Sequence, residues 1–238
     1  MPQKHFYLEN AVYFLTANTA GRKPFFKCEI LAELFIEELK ICRDIKKFKL
    51  LAFCVNYDHF HILIQPSKTA NVSEIMRSLK TNFSRNANRV LVEKFETQQR
   101  PWHRQGFLPQ KTNPQLGSED PSAEGISKCA LCPRSSDRGY ERFVDSHDQC
   151  TLERGSADPR FDELDEKVRV WHQLFHQKFS NYSGPKFSWQ KGFYDQICKN
   201  ETDLQNKFHY CENNYLKHDL PENWKFTSLC FPQIIDKI

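Results

Sequence analysis

From Glu29 to Ile45 the apolar residues Ile30, Leu34, Phe35, Leu39, Cys42 and Ile45 recur at spacings of three and four, the pattern of a helix with one buried stripe. Before it, Ala11 to Thr19 (AVYFLTANT) is rich in β-branched and aromatic residues and closes on Ala-Gly-Arg-Lys-Pro, which predicts a strand and a loop. After it, the apolar runs Phe48 to Val55 and Phe60 to Ile64 are separated by Asn56-Tyr57-Asp58-His59. They predict a hairpin whose first arm is apolar on both faces, as in a central strand. Beyond Gln65-Pro66, the span Asn71 to Lys94 carries Val72, Ile75, Met76, Leu79, Phe83, Ala87 and Val90 on one side and basic residues on the other, a second helix. The predicted order is β-α-β-β-α.

Between about residues 98 and 164 the periodicity fails, and Pro, Gly, Ser, Asp and Glu dominate. Such a stretch is either disordered or a small module of its own. The chain therefore reads as one domain built from residues 1–97 and 168–238 and interrupted by an acidic insertion at 98–167. Helical spacing returns with Val168, Trp171, Leu174, Phe175 and Phe179, and Phe187 to Cys198 suits a fourth strand or an extended segment. A last helix is predicted from Glu201 to His218, with Asn200 able to cap its free N–H groups, Asp203 suited to its positive end, and Pro221 beyond its close.

Composition adds limits. With 39% apolar and 27% charged residues the chain suits a globular protein, and its longest apolar run, Leu50 to Val55, is too short to span a bilayer. The N-terminus lacks the features of a secretory signal, so a cytoplasmic location is expected. Nine cysteines is an odd count, and Cys28, Cys42, Cys54, Cys198, Cys211 and Cys230 lie scattered among periodic segments as small hydrophobes, so no disulfide framework is expected. Charge is unevenly spread: between Ser118 and Glu166 there are 13 acidic and 6 basic residues, a net of −7 that leaves +11 for the rest of a chain totalling +4. Clusters at Arg22, Lys23 and Lys27, at Arg43, Lys46, Lys47 and Lys49, and at Arg77, Lys80, Arg85 and Arg89 suit either a nucleic-acid binder or an ordinary solvated helix surface.

Three patterns carry candidate chemistry. Residues two apart on a strand share a face, so Phe60, Ile62 and Ile64 point into apolar packing while His59 and His61 point the other way. Two neutral imidazoles on one face are half of a metal site, or else a pair of hydrogen-bonded strand histidines. On the last helix Leu204, Phe208, Cys211 and Tyr215 make a narrow apolar stripe, and Tyr210 and Asn214 fall together about 100° from its centre. Being four apart they can act at one place, with Lys217 on nearly the same side. Within the insertion, Cys129-x-x-Cys132 and His147-x-x-Cys150 have a spacing that could ligate zinc, or belong to a variable expansion that happens to contain cysteines.

The stretch AFCVNYDHFHILIQP resembles the histidine-hydrophobe-histidine motif of the single-tyrosine HUH transposases of the insertion-sequence type, particularly the REP-associated tyrosine transposases. FSWQKGFYDQICKNETDLQNKFHYCENNYLKHDL resembles that family's C-terminal pattern, and YFLTANTAGRKPFF its first strand and loop; together the likeness spans about residues 6–96 and 168–220. The resemblance implies a ferredoxin-like α/β sandwich: an antiparallel sheet with two helices on one face, and the histidines on the other beneath a tyrosine-bearing C-terminal helix. It implies that His59 and His61 are metal ligands, Tyr210 the nucleophile and Asn214 a third, polar ligand, although the family usually has proline where this chain has Tyr215.

The implied activity is cleavage and joining of single-stranded or stem-loop DNA through a covalent 5′-phosphotyrosine, with Mg²⁺ or Mn²⁺, by a monomer or homodimer. The ion would neutralise the oxygens that repel a nucleophile from a phosphodiester, and a nearby cation can favour the phenolate of a group whose ordinary pKa is about 10. Arg77, Lys80, Arg85 and Arg89 are candidates for phosphate contacts. A non-catalytic single-strand nucleic-acid-binding domain is the alternative. A small-molecule metallohydrolase is a weaker rival, since no further His or Asp follows His61 at short spacing.

Overall fold

Period-two alternation sorts the strand side chains between two layers, and the sheet they build follows from it. In a computed structural model describing residues 8, 10–92, 158–218 and 220–237, β1 (Tyr13–Asn18), β2 (Lys49–Val55), β3 (His59–Gln65) and β4 (Tyr194–Ile197) form one antiparallel sheet in the order β2-β3-β1-β4. This is the ferredoxin-like arrangement. β1 runs from Tyr13 opposite Ile64 to Asn18 opposite His59, which puts Thr16 directly across from His61.

Helices α1 (Glu29–Lys46) and α2 (Val72–Leu91) pack together over one face, and α3 (Pro159–Lys178) packs on both. The main core lies on this side, with Leu15, Phe35, Phe60, Ile62, Phe83 and Val168 fully buried. α2 begins with a capping box in which Asn71 and Glu74 satisfy each other's backbone N–H groups. α4 (Glu201–Lys217) packs on the other face, against β2 and β3, over a smaller cluster of Phe14, Leu51, Ala52, Leu63, Leu204 and Cys211. Its first turn is capped by Asn200, whose side chain accepts from the Asp203 N–H at 2.8 Å.

Two expectations change. β2 is apolar on both faces yet stands at the sheet edge. Its outer backbone is covered by the C-terminal tail: Val55 donates to Phe226 at 2.9 Å, Leu50 and Asp236 exchange backbone and side-chain hydrogen bonds at 2.8 Å, and Arg43 grips Asp236 with two. A bulge at Leu51 breaks the alternation, so that Leu51 and Ala52 both face α4. α3 starts at Pro159, capped by Asp158, rather than near Val168, so the folded domain reaches into the span assigned to the insertion. Its first turns are rich in acids that mask the apolar positions Phe161 and Leu164, of which Leu164 is buried, as is Val168. The CxxC and HxxC pairs of the insertion lie outside the described residues, and among those described no helix is long and apolar enough to cross a membrane.

Candidate active site

Strand alternation on β3 turns His59 and His61 toward α4, and each imidazole is oriented by a hydrogen bond at Nδ1. His61 Nδ1 meets Thr16 Oγ1 at 2.7 Å, and His59 Nδ1 meets Asp58 Oδ1 at 2.6 Å. Asp58 in turn holds Arg22 at 2.8 Å. Arg22 reaches it from a turn in which Gly21 and Arg22 both take left-handed φ, 64° and 55°, a geometry that glycine adopts without cost and arginine seldom does. Carboxylate, imidazole and guanidinium thus form a chain leading out from the site, of the kind that fixes a ligand's tautomer.

Both imidazoles are buried, 3% and 5% exposed. Burial holds His59 below its usual pKa against the opposing pull of Asp58. Burial also takes His61 down to about 2, with the neighbouring His59, His218, Arg22 and Lys207 adding to the effect. The two rings are therefore neutral at physiological pH, with their lone pairs available.

α4 supplies the rest. Tyr210 is half-buried, its ring edge-on to His61 at 5.2 Å and to Phe14 at 5.6 Å, and the Lys217 ammonium stands 4.5 Å from its centroid. One turn on, Asn214 is fully buried beneath the helix, so the helical-wheel position that left both residues outside an apolar stripe is filled by the second face of the sheet. Asn56, in the β2–β3 turn, links the two halves: its Nδ2 lies 2.9 Å from His59 Nε2 and 2.5 Å from Asn214 Oδ1. A further ring, His218, packs on His59 at 4.7 Å, completing a row of Tyr210, His61, His59 and His218 along the helix.

The donor set fits a divalent cation. His61 Nε2 is a buried atom with no hydrogen-bond partner, and Asn214 has a carbonyl oxygen aimed at the same region as His59 Nε2. Among the described residues no group of three or more His, Cys, Asp or Glu side chains could hold a metal, so other oxygens, such as the Asn214 amide, would have to complete a ligand set around the two imidazoles. Burial pushes the nearby Cys54 thiol up to about 12 and Cys211 well above its usual value, so both are protonated in the metal-free chain.

The basic residues of α2 are not brought to this site. They belong to the helix layer on the opposite face of the sheet, where Lys80 caps the carbonyls of Gln190 and Gly192 at 3.1 and 2.6 Å and Arg89 pairs with Asp165 at 2.7 Å. Arg77 and Arg85 are exposed. Around the histidines the cations are instead Arg22, Lys207 and Lys217. Of the other tyrosines considered, Tyr194 is exposed on β4 and Tyr215 packs toward the main core.

Residues 8–110 match the family model described as Transposase IS200 like. Over that stretch the chain is similar to the IS200-like transposases. The IS200-like stretch contains both histidines, Thr16, Arg22, Asn56 and Asp58, and it ends before the helix that carries Tyr210 and Asn214. Among solved structures, a REP-associated tyrosine transposase bound to a REP hairpin aligns over 96% of this chain and 82% of its own, at 11% identity and a TM-score of 0.40. A protein described as a transposase from Deinococcus radiodurans R1 aligns over 36% of this chain and 65% of its own, at 21% identity and a TM-score of 0.30. No curated protein matches.

Sequence reasoning passed over Asn56, Asp58 and Thr16. The first two sit in the hairpin turn, where Asn and Asp are ordinary turn residues, and Thr16 becomes relevant only through its register with His61.

Proposed function

We propose that this chain nicks and rejoins single-stranded or hairpin DNA through a covalent 5′-phosphotyrosine on Tyr210, with Mg²⁺ or Mn²⁺ held by His59, His61 and Asn214. One observation carries this reading: the helix that sets the Tyr210 ring against His61 also delivers Asn214 Oδ1 to the same amide nitrogen that bonds His59 Nε2.

A divalent cation there would neutralise phosphate oxygens that otherwise repel a nucleophile. The phenol oxygen of Tyr210 attacks phosphorus and gives up its proton, the P–O3′ bond breaks, and its electron pair leaves with the 3′ oxygen, which takes up a proton. The phosphodiester is exchanged for a phosphotyrosine, so return attack by a 3′-hydroxyl rejoins strands without an external energy source. Thr16 and Asp58 keep the two imidazoles oriented with Nε2 inward. Lys217 and Lys207, one over the Tyr210 ring and one over Phe14, supply positive charge for the phosphates beside the break, with Arg22 on the far side of His59. Arg77 and Arg85 are left for duplex farther along the substrate.

The test is a 3′-labelled single-stranded hairpin incubated with the chain and Mn²⁺. An adduct that survives a denaturing gel is expected, and Tyr210→Phe should lower its yield by at least about 10³-fold. A gel shift without an adduct would make the chain a DNA-binding domain. An adduct undiminished in Tyr210→Phe would remove Tyr210 as nucleophile.

A further inference from the structure

Asn56 is 1% exposed, and every polar atom of its side chain is engaged around the histidines. Its Nδ2 serves both His59 Nε2 and Asn214 Oδ1, and its Oδ1 accepts from the Cys54 thiol at 3.6 Å. An amide nitrogen is a donor only, so His59 must present a lone pair at Nε2 and carry its ring proton on Nδ1, where the Asp58 carboxylate receives it. Two lone pairs, one from an imidazole and one from an amide oxygen, therefore converge on the point that the Asn56 nitrogen holds. Nearby, His61 Nε2 is buried with no partner of its own.

Converging lone pairs suit a cation, and among the described residues no three His, Cys, Asp or Glu side chains gather to bind one, which leaves the two imidazoles short of a full ligand set. Mg²⁺ and Mn²⁺ prefer six ligands with oxygens among them, so a second amide oxygen would answer a real deficit. Asn56 has that oxygen on the same carbon as the nitrogen now at the convergence point. A half-turn about its last side-chain torsion exchanges the two.

We propose that Asn56 is a further protein ligand of the cation: its NH₂ holds His59 and Asn214 together when no ion is bound, and its carbonyl oxygen turns onto the ion when one is. The inference rests on the reading that His59, His61 and Asn214 hold a divalent ion. Its consequence is a graded effect of the group at position 56 on binding of the metal alone, with carboxylate above amide and amide above methyl.

The experiment titrates the full chain with Mn²⁺ and follows the paramagnetic resonance signal of the free ion, comparing wild type, Asn56→Ala and Asn56→Asp. Binding about 10-fold weaker in Asn56→Ala and about 10-fold tighter in Asn56→Asp is expected. The near-isosteric Asp variant keeps the test sound if the Ala variant is poorly folded, because a gain in affinity cannot come from an unfolded chain. Asn56→Ala binding as tightly as wild type or more so would show that the amide merely blocks the ion, and would overturn the proposal while leaving the histidine site standing. No tightening in Asn56→Asp would also overturn it. Failure of wild type to bind Mn²⁺ at all would remove the cation site itself, and this proposal with it.

Discussion

The two faces of the sheet are made of different material. On the side of α1 and α2, interlocking rings fill the space: Phe35 alone lies 4.5 Å from Phe60, 5.5 Å from Phe83 and 5.6 Å from Phe26, with no exposed surface. On the side of α4 a small apolar patch surrounds buried His59, His61, Asn56 and Asn214, two of which contain polar atoms with no partner. An unsatisfied buried polar group costs about 1–3 kcal/mol. The second face is thus held together at a cost, and the first must supply the stability that sustains it. A site that concentrates perturbed and under-bonded groups on a face contributing little to packing is what functional chemistry requires.

The comparison is broken most strongly from the aromatic side. Phe35→Ala should lower unfolding free energy by about 3–5 kcal/mol, a large share of the roughly 5–15 kcal/mol typical of a domain. Denaturant unfolding would measure it. A cost below about 1 kcal/mol would mean that the helix face is not the source of stability.

A smaller effect compares the two faces by pH. Glu38, on α1, is buried against Asn86, which donates to it at 2.6 Å, and burial raises its carboxyl to about 7 from an ordinary 4.5. A folded value above the unfolded one means that its contribution is intact below pH 4.5 and is lost as pH rises through about 7, by on the order of 3 kcal/mol at full ionisation. His61 has the opposite sign. With its pKa at about 2 instead of 6.5, the folded chain refuses a proton that the unfolded chain accepts, so stability falls as pH drops below 6.5, by about 1.4 kcal/mol per unit. The two slopes oppose each other between pH 4.5 and 6.5. Glu38→Gln should therefore be steadier than wild type at pH 8, and should melt progressively earlier from pH 7 to pH 5, where wild type stays nearly level. Thermal scans across this range check both signs, and parallel curves for the two chains would refute the assignment to Glu38.

How far the sequence revealed each face follows the same division. The helix layer and β3 were legible because Phe60, Ile62 and Ile64 alternate strictly with His59, His61 and Leu63, and burial imposes that period locally. The edge position of β2 was not legible. Hydrophobicity reports that Leu50 to Val55 are covered, but not that the covering chain comes from Phe226, Thr227 and Asp236. Tyr210 and Asn214 were visible as a pair off the apolar stripe, yet Asn214 at 0% exposed became intelligible only once Asn56 and Cys54 stood beside it. The α2 cations show the limit of a helical wheel: Lys80 and Arg89 look solvated there, and neighbouring segments hold them.

The smallest expected effect separates the faces by charge. Each phosphate contact that is lost reduces the salt dependence of binding to single strands by about 0.7 in the slope of log K against log salt. Lys207→Gln with Lys217→Gln, on the face of the histidines, should therefore lower the slope for a single-stranded hairpin by about 1.4, while Arg77→Gln with Arg85→Gln should leave the single-strand contribution unchanged and act only through the duplex. Binding measured from low to moderate salt, with and without a single-stranded flank on the hairpin, distinguishes the two. If the α2 pair alone changed the flank-dependent slope, DNA would run over the helix layer, and the charge around Tyr210 would have to serve some purpose other than gripping the strand at the break.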